Sequence, residues 1–181
     1  MSRQALLLHL VEHALRTDGP FTLRSGQVSS WYLDARQTTF DGQGAALVGE
    51  TVLELIDTDA VAVGGMTMGA DPIAVATAIA AARVGRPLRA FSVRREAKDH
   101  GTGGRVVGPI EAGDRVTVVE DTTTTGSAAM EAIEALRAEG IEVIQVVALV
   151  DRSGGTAGSR FAEAGVPFTS VFGVADLGVE E

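Results

Sequence analysis

Residues 116–129 carry the side chains with the clearest chemical potential in this 181-residue chain. A β-branched run typical of a buried strand ends at two adjacent carboxylates, Glu120 and Asp121. Four threonines, a glycine and a serine follow, and then comes a helical pattern that ends at Gly140. Free amides at a loop and helix start, the helix dipole and the hydroxyls favour an anion. The carboxylates would repel that anion, so they indicate a second group beside it, either sugar hydroxyls or a metal ion. A phosphorylated sugar supplies both the phosphate for the loop and hydroxyls for the carboxylates.

Two plainer interpretations of this stretch stay open. A Thr/Gly turn before a helix is often only a helix cap, and acidic residues at a strand end are often only solvated. The loop is not a Walker loop, because G-x-x-x-x-G-K-[ST] is absent, and no G-x-G-x-x-G dinucleotide fingerprint occurs there. The residues alone therefore allow either a phosphate site or a simple cap.

A second loop has the same position relative to its strand. Residues 65–71, G-M-T-M-G-A-D, follow a short buried strand and precede an alanine-rich helix with Pro72 in its first turn. Its backbone amides are available to a second anion such as pyrophosphate. A plain turn between strand and helix is the alternative.

Strands and helices alternate from residue 60 onward, which predicts an α/β fold: a central, mostly parallel sheet with helices on both faces. In such a sheet ligands bind at the carboxyl ends of the strands, where both loops lie. The N-terminal part contributes two helical patterns and a pair of short strands. The predicted strands are 21–23, 29–34, 60–65, 88–93, 116–119, 141–150 and 166–174, and the predicted helices are 4–16, 44–56, 72–84, 128–139 and 161–165.

Composition limits the partners that the chain can have. A net charge of −9 disfavours nucleic acid, and no apolar run approaches the length of a membrane span. The first 19 residues lack a signal-peptide core, and the absence of cysteine excludes disulfides and thiolate metal sites. We expect a soluble, cytoplasmic protein with one domain, residues 1–181.

Residues 94–105 form a basic segment in this acidic chain. Four basic residues against two acidic ones leave a net charge of +2, and Lys98 is the only lysine of the protein. Three glycines at its end predict a loop that is hard to order by itself, as in a lid over an anionic ligand. An ordinary solvated loop of mixed charge is the alternative.

The string E-D-T-T-T-T-G-S after a buried strand resembles the phosphoribosyl-diphosphate signature of type I phosphoribosyltransferases. The resemblance implies that Glu120 and Asp121 hold the ribose hydroxyls. It also implies that the next loop wraps the 5′-phosphate, through Thr122, Thr123, Thr124, Thr125, Gly126, Ser127 and Ala128. This signature leaves the acceptor base unspecified.

The string R-E-A-K-D-H-G-T-G-G resembles the mobile catalytic loop of orotate phosphoribosyltransferases, a family within that class. The resemblance implies diphosphate contacts from Arg94, Arg95, Lys98 and His100, and a catalytic set made of Arg95, Lys98, His100 and Asp121. In the family this loop reaches into the neighbouring subunit's site. A homodimer is therefore implied, with residues 94–105 crossing between subunits.

The stretch F-T-L-R-S-G…Y-L-D resembles the small N-terminal hood of the same family, to which about residues 1–40 would belong. The resemblance assigns orotate to Arg24, Thr124 and Arg152, the last through its carboxylate. Relatives often carry lysine where Arg24 and Arg95 stand, and some carry it at position 69. Because this chain has glycine at 69, any ligand contact there has to come from the backbone.

The implied reaction transfers the 5-phosphoribosyl group from 5-phosphoribosyl 1-diphosphate to orotate, and it gives orotidine 5′-phosphate and pyrophosphate in pyrimidine (UMP) biosynthesis. The implied cofactor is Mg²⁺, held mainly by the substrate and without a direct protein ligand. Two alternatives are kept. One is a phosphoribosyltransferase for another base, and the other is a regulator that binds the phosphoribosyl donor without catalysis.

Overall fold

Ten strands make up the β-structure of the computed structural model, which describes residues 2–22, 26, 28–98 and 104–179. In chain order they are β1 (Leu15–Arg16), β2 (Phe21–Thr22), β3 (Val28–Ser29), β4 (Tyr32–Leu33), β5 (Ala62–Met66), β6 (Arg89–Lys98), β7 (Gly104–Val107), β8 (Arg115–Thr123), β9 (Glu142–Asp151) and β10 (Phe168–Gly173).

Six of these strands form one sheet in the order β10-β9-β8-β5-β6-β7. All neighbours in it are parallel except β6 and β7. The central strand β5 is buried at every position, and β8 is buried from Val116 to Val119, as expected for strands covered on both faces. The prediction of an α/β fold with a mostly parallel sheet is confirmed.

The helices surround this sheet, and none in the described part of the chain is long and apolar enough to cross a membrane. A π-helical segment, Leu10–Ala14, continues the first helix, and a 3₁₀ turn, Val174–Leu177, follows β10. The α-helices are α1 (Ser2–His9), α2 (Arg36–Thr39), α3 (Gly42–Leu53), α4 (Ala70–Arg83), α5 (Ser127–Ala138) and α6 (Thr156–Glu163).

The two faces of the sheet carry separate hydrophobic cores. Helices α1, α3 and α4 pack on one face in a cluster that includes Val119, whereas α5 and α6 pack on the other in a cluster that includes Val118. Consecutive residues of a strand point to opposite faces, so these two valines of β8 enter different cores. Helices therefore cover both faces, as predicted.

Two glycines allow β5 to lie tightly between its neighbours. A Cβ on Gly64 would be 2.6 Å from Cγ of Phe91 on β6, and one on Gly65 would be 2.9 Å from Cβ of Ala70. Both distances are shorter than a packed interior tolerates. The glycines thus bring β6 and the start of α4 close to β5, at the edge where the candidate site lies.

The predicted pair of strands near the N-terminus divides into two pairs. Val28–Ser29 pairs with Phe21–Thr22, as expected, but Tyr32–Leu33 pairs with Leu15–Arg16. Leu33 is 5% exposed because it faces the core, and this second pairing ties the segment to the end of the first helix.

The basic segment is only partly a loop. Strand β6 runs on to Lys98, where a loop from residue 94 was predicted, and β7 begins at Gly104. Val93 pairs with Val106 and Lys98 with Gly104, so antiparallel pairing extends the strand beyond its apolar part. Residues 99–103 lie outside the described part of the chain.

Candidate active site

A cleft of about 700 Å³ opens at the carboxyl ends of β5 and β8. An adjoining cavity of about 350 Å³ shares several of its walls and continues along the loop between β8 and α5. The polar residues that line the larger cleft are Arg36, Thr67, Arg95, Glu120, Asp121, Thr122 and Thr124. Both strand–loop–helix motifs singled out in the sequence therefore contribute to one site.

The loop after β8 forms the floor of the smaller cavity. It is lined by Thr125, Gly126 and Ser127, and the Oγ atoms of Thr125 and Ser127 are 2.8 Å apart. Gly126 is the N-cap of the twelve-residue helix α5 and has φ 71°. Gly126 has no side-chain oxygen, and the side-chain bond recorded at this helix start is a long one, from the Ser127 amide to Thr125 Oγ1 at 3.4 Å. The following amides are left for an anion, so this helix start suits an anion better than the simple cap that the sequence left open.

The threonines after Asp121 alternate in direction, because β8 continues to Thr123. Thr122 and Thr124 line the cleft, whereas the side chain of Thr123 is 1% exposed and points to the interior. The carbonyl oxygen of Thr123 accepts the Arg152 amide at 2.8 Å. Any contact from Thr123 to a ligand is consequently limited to its backbone.

The two carboxylates lie in the wall of the cleft, where they are partly shielded from water. Burial raises the pKa of Glu120 to about 7, and the charge of Asp121 acts in the same direction. Burial also raises the pKa of Asp121, although the Thr122 amide, which donates to its Oδ1 at 2.8 Å, and the charge of Arg36 oppose this. The site thus holds two acceptors whose hydrogen-bonding capacity is available to a ligand.

The loop after β5 passes directly over Asp121. Thr67, Met68 and Gly69 line the cleft, and a Cβ on Gly69 would be 2.7 Å from Cγ of Asp121. Thr67 is fixed from both sides, because its amide donates to the Val93 carbonyl at 2.9 Å and its hydroxyl to Asp71 Oδ2 at 2.7 Å. Glycine at position 69 therefore leaves room for the Asp121 carboxylate, and the pyrophosphate role of this loop stays a prediction.

Arg36 is a cleft residue that the sequence reasoning missed. It begins the one-turn helix α2, and its Nε donates to Asp34 Oδ1 at 2.7 Å. No motif marks it, because it follows the short N-terminal strands rather than a strand of the main sheet. The Asp34–Arg36 spacing is the only signal that the sequence offered.

The two arginines at the start of the basic segment have different positions. Arg95 lines both parts of the cleft, whereas Arg94, the preceding residue of β6, is not among the lining residues. Adjacent residues of a strand face opposite sides of the sheet, which separates the two guanidinium groups. The Arg94 carbonyl accepts from Nε of Arg105 at 2.8 Å.

Three predicted positions cannot be placed by their side chains. His100 and Arg24 lie outside the described residues, and for Lys98 the structure describes only the backbone, at the end of β6. Their proposed roles rest on the sequence alone.

Arg152 follows the end of β9, next to the end of β8. Its guanidinium carbon is 4.1 Å from the ring centroid of Trp31, which is a cation–π distance. Trp31 is 5% exposed, so this ring belongs to the core rather than to an open stacking surface. Arg152 does not line the 700 Å³ cleft, and its assignment to orotate stays a prediction.

A mostly parallel sheet with an acidic pair near the end of β8, followed by a hydroxyl-rich loop and a helix that begins after a glycine, is the arrangement expected of a type I phosphoribosyltransferase. No protein-family model matches the chain. It is 48% identical over 179 residues to the orotate phosphoribosyltransferase of Streptomyces avermitilis, with 98% of each chain covered.

Solved structures agree with this relationship. The Mycobacterium tuberculosis orotate phosphoribosyltransferase in complex with Fe(III) dicitrate is 39% identical, with a TM-score of 0.88 over 99% of this chain and 100% of that chain. The same enzyme in complex with 5-phospho-alpha-D-ribosyl 1-diphosphate gives 36% identity and a TM-score of 0.83 over the same shares. The chain belongs to the orotate phosphoribosyltransferase family, and the predicted family and enzyme class are confirmed.

Proposed function

We propose that the protein transfers the 5-phosphoribosyl group from 5-phosphoribosyl 1-diphosphate to orotate, giving orotidine 5′-phosphate and pyrophosphate for UMP biosynthesis. The observation that carries the proposal is the cleft at the end of β8. There the carboxylates of Glu120 and Asp121 adjoin the glycine-capped start of α5, so acceptors for sugar hydroxyls lie beside donors for a phosphate. That pairing matches a phosphorylated ribose.

The charges around the cleft suit the reaction. Breaking the bond at the anomeric carbon leaves positive charge on the ribose and negative charge on the diphosphate. Glu120 and Asp121 accept from the ribose hydroxyls and face the developing cation, and Arg95 stabilises the leaving diphosphate from the same cleft. The family resemblance also assigns Lys98 and His100 to the diphosphate, where they would help to exclude water, which would otherwise hydrolyse the activated sugar.

The acidic pair also fits Mg²⁺. Among the described residues no group of three acidic or histidine side chains could hold a metal ion. Mg²⁺ is commonly bound through one or two carboxylates together with substrate phosphates and waters. The buried Oε2 of Glu120 has no hydrogen-bond partner within the described structure. Mg²⁺ held mainly by the donor's oxygens, beside Glu120 and Asp121, would neutralise the diphosphate.

The N-terminal hood, about residues 1–40, supports the orotate site through Trp31. Stacking on this ring orients the Arg152 guanidinium, which can then receive the carboxylate of orotate as a fork. Arg152→Ala is expected to raise the KM for orotate about tenfold or more, the usual cost of a charge-assisted hydrogen bond. Steady-state kinetics with each substrate varied in turn measure this effect.

A second arginine stacked on an aromatic ring serves as the control for Arg152. The guanidinium carbon of Arg3 is 4.7 Å from the Phe172 ring centroid, and Arg3 does not line the cleft. Arg3→Ala should leave the KM for orotate unchanged. If Arg152→Ala changes only the KM for the phosphoribosyl donor, the assignment of Arg152 to the base is wrong.

The raised pKa of Glu120 predicts a pH-dependent stability. An unfolded glutamate ionises near pH 4.3, whereas folded Glu120 ionises at about 7. The folded state therefore binds this proton more tightly, and its stability falls as the pH rises through that window. The test compares the free energies of unfolding of Glu120→Gln and of the natural sequence, measured by urea titration. The difference, variant minus natural sequence, should increase between about pH 4.3 and 7 and be constant above pH 7. A difference that is constant with pH would contradict this.

We further propose a homodimer in which the basic segment, residues 94–105, reaches the partner's site beyond Arg95, whose side chain lines the cleft of its own chain. Exposed apolar side chains support it. Val75 and Ile79 of α4 are 52% and 51% exposed, and Ile79 lines a groove of about 160 Å³ between α3 and α4. Phe40, between α2 and α3, is 60% exposed. The proposed location is the cytoplasm, because a highly charged phosphorylated sugar does not cross a membrane unaided.

A spectrophotometric assay of orotate consumption tests the proposed function. Orotate should disappear only when the phosphoribosyl donor and Mg²⁺ are both present. No loss of orotate, together with retained binding of the donor, would favour the regulator instead. Consumption of a purine or uracil in place of orotate would favour a phosphoribosyltransferase for another base.

A further inference from the structure

Arg160 reaches from α6 to the phosphate loop, outside every motif found in the sequence. Its Nη1 donates to the Thr125 carbonyl oxygen at 3.0 Å and to the Ser127 hydroxyl at 2.8 Å. One nitrogen thus joins the two residues on either side of Gly126. Both of these residues line the smaller cavity, whereas Arg160 does not, so the arginine acts from behind the loop.

This contact determines what the two hydroxyls can do. A guanidinium only donates, so it occupies a lone pair of Ser127 Oγ and leaves the Ser127 proton free to point elsewhere. That proton can go to Thr125, whose Oγ1 is 2.8 Å away, or to an anion in the cavity. Arg160 therefore favours the orientation in which the loop presents hydroxyl donors.

Phe161, the next residue of α6, holds Arg160 in position, and no carboxylate among the described residues forms an ion pair with the Arg160 guanidinium. Phe161 is fully buried, and it packs so closely beneath the loop that a Cβ on Gly126 would be 2.7 Å from Phe161 Cζ. None of the ion pairs found between described residues includes Arg160. In a chain with a net charge of −9, a cation at this place offsets the repulsion that a phosphate would meet.

We propose that Arg160 is a positioning residue for the 5′-phosphate of the phosphoribosyl donor, acting through Ser127 and Thr125. The inference rests on the proposed function and adds to it an element of donor recognition from α6. The KM for orotate should not depend on Arg160. The described hydrogen bonds of Arg160 go to Thr125 and Ser127, and not to Arg152 or Trp31.

The test compares the full-length protein with Arg160→Met, which keeps length and loses both donor and charge, and with Arg160→Lys. Arg160→Met is expected to raise the KM for the donor about tenfold, as for loss of one charge-assisted hydrogen bond, with kcat and the KM for orotate nearly unchanged. Arg160→Lys should recover part of the loss. Calorimetric titration with inorganic phosphate should show the same weakening without any turnover.

Arg137→Met is the matched control, because Arg137 Nη2 donates to the Ala164 carbonyl at 3.0 Å and so links α5 to the residue after α6 without touching the loop. It should leave phosphate binding unchanged. The proposal is overturned if Arg160→Met binds phosphate as the natural sequence does, or if Arg137→Met weakens phosphate binding equally. Absence of orotate consumption in the natural sequence would instead refute the proposed function, because the phosphate titration does not depend on turnover.

Discussion

An Asp121→Asn enzyme is expected to convert orotate about 10²–10³-fold more slowly than the natural sequence, the usual cost of one lost electrostatic contact to a transition state. Asparagine keeps the shape of the side chain and still accepts from the Thr122 amide, which donates to Oδ1 at 2.8 Å. It removes the negative charge that we propose faces the developing ribose cation. The loss should therefore appear in kcat, measured with both substrates saturating.

Asp114→Asn is the control for this change. Asp114 lies just before the amino end of β8, at the end of the strand opposite to the cleft. Its carboxylate accepts from Arg89 Nη2 at 2.8 Å and from the Glu111 amide at 2.9 Å. The same chemical change there should cost some stability and leave kcat intact. If Asp121→Asn retains full kcat, Asp121 does not act on the reacting sugar.

Replacing Gly126 by alanine is expected to lower kcat/KM for the phosphoribosyl donor about 100-fold, the cost of displacing a binding loop by roughly 1 Å. The added Cβ would be 2.7 Å from Phe161 Cζ, and Phe161 is fully buried and has little room to move. The left-handed φ of 71° adds backbone strain of about 1–2 kcal/mol. Kinetics give the first effect, and thermal or urea unfolding gives the second.

Gly85→Ala is the control that separates backbone strain at positive φ from the steric clash of the added Cβ with Phe161. Gly85 has φ 74°, but a Cβ there would meet nothing within 4 Å, and the residue does not line the cleft. This variant should lose about the same 1–2 kcal/mol of stability and keep its affinity for the donor. An equal loss of kcat/KM in both variants would show that the Gly126 effect is general destabilisation.

Much of the architecture could be predicted because local patterns and long-range packing agree. The apolar run before Glu120 became the first part of β8, which continues through the acidic pair to Thr123, and the alanine-rich stretch after residue 71 became most of α4. Burial on both faces selects β-branched runs that are visible without any contact information. The basic segment was harder, because Arg94 to Lys98 carry no strand pattern and become a strand only by pairing with β7.

The sequence by itself determined the class of fold, the family and the two loops that meet at the carboxyl edge of the sheet, since each of these is written in consecutive residues. Only the tertiary structure decided which side chains share the cleft. It brought in Arg36, separated Arg95 from Arg94, placed Gly69 against Asp121 and set Arg160 behind the loop. These contacts join residues that are distant in the chain, and no local spacing encodes which of them will meet.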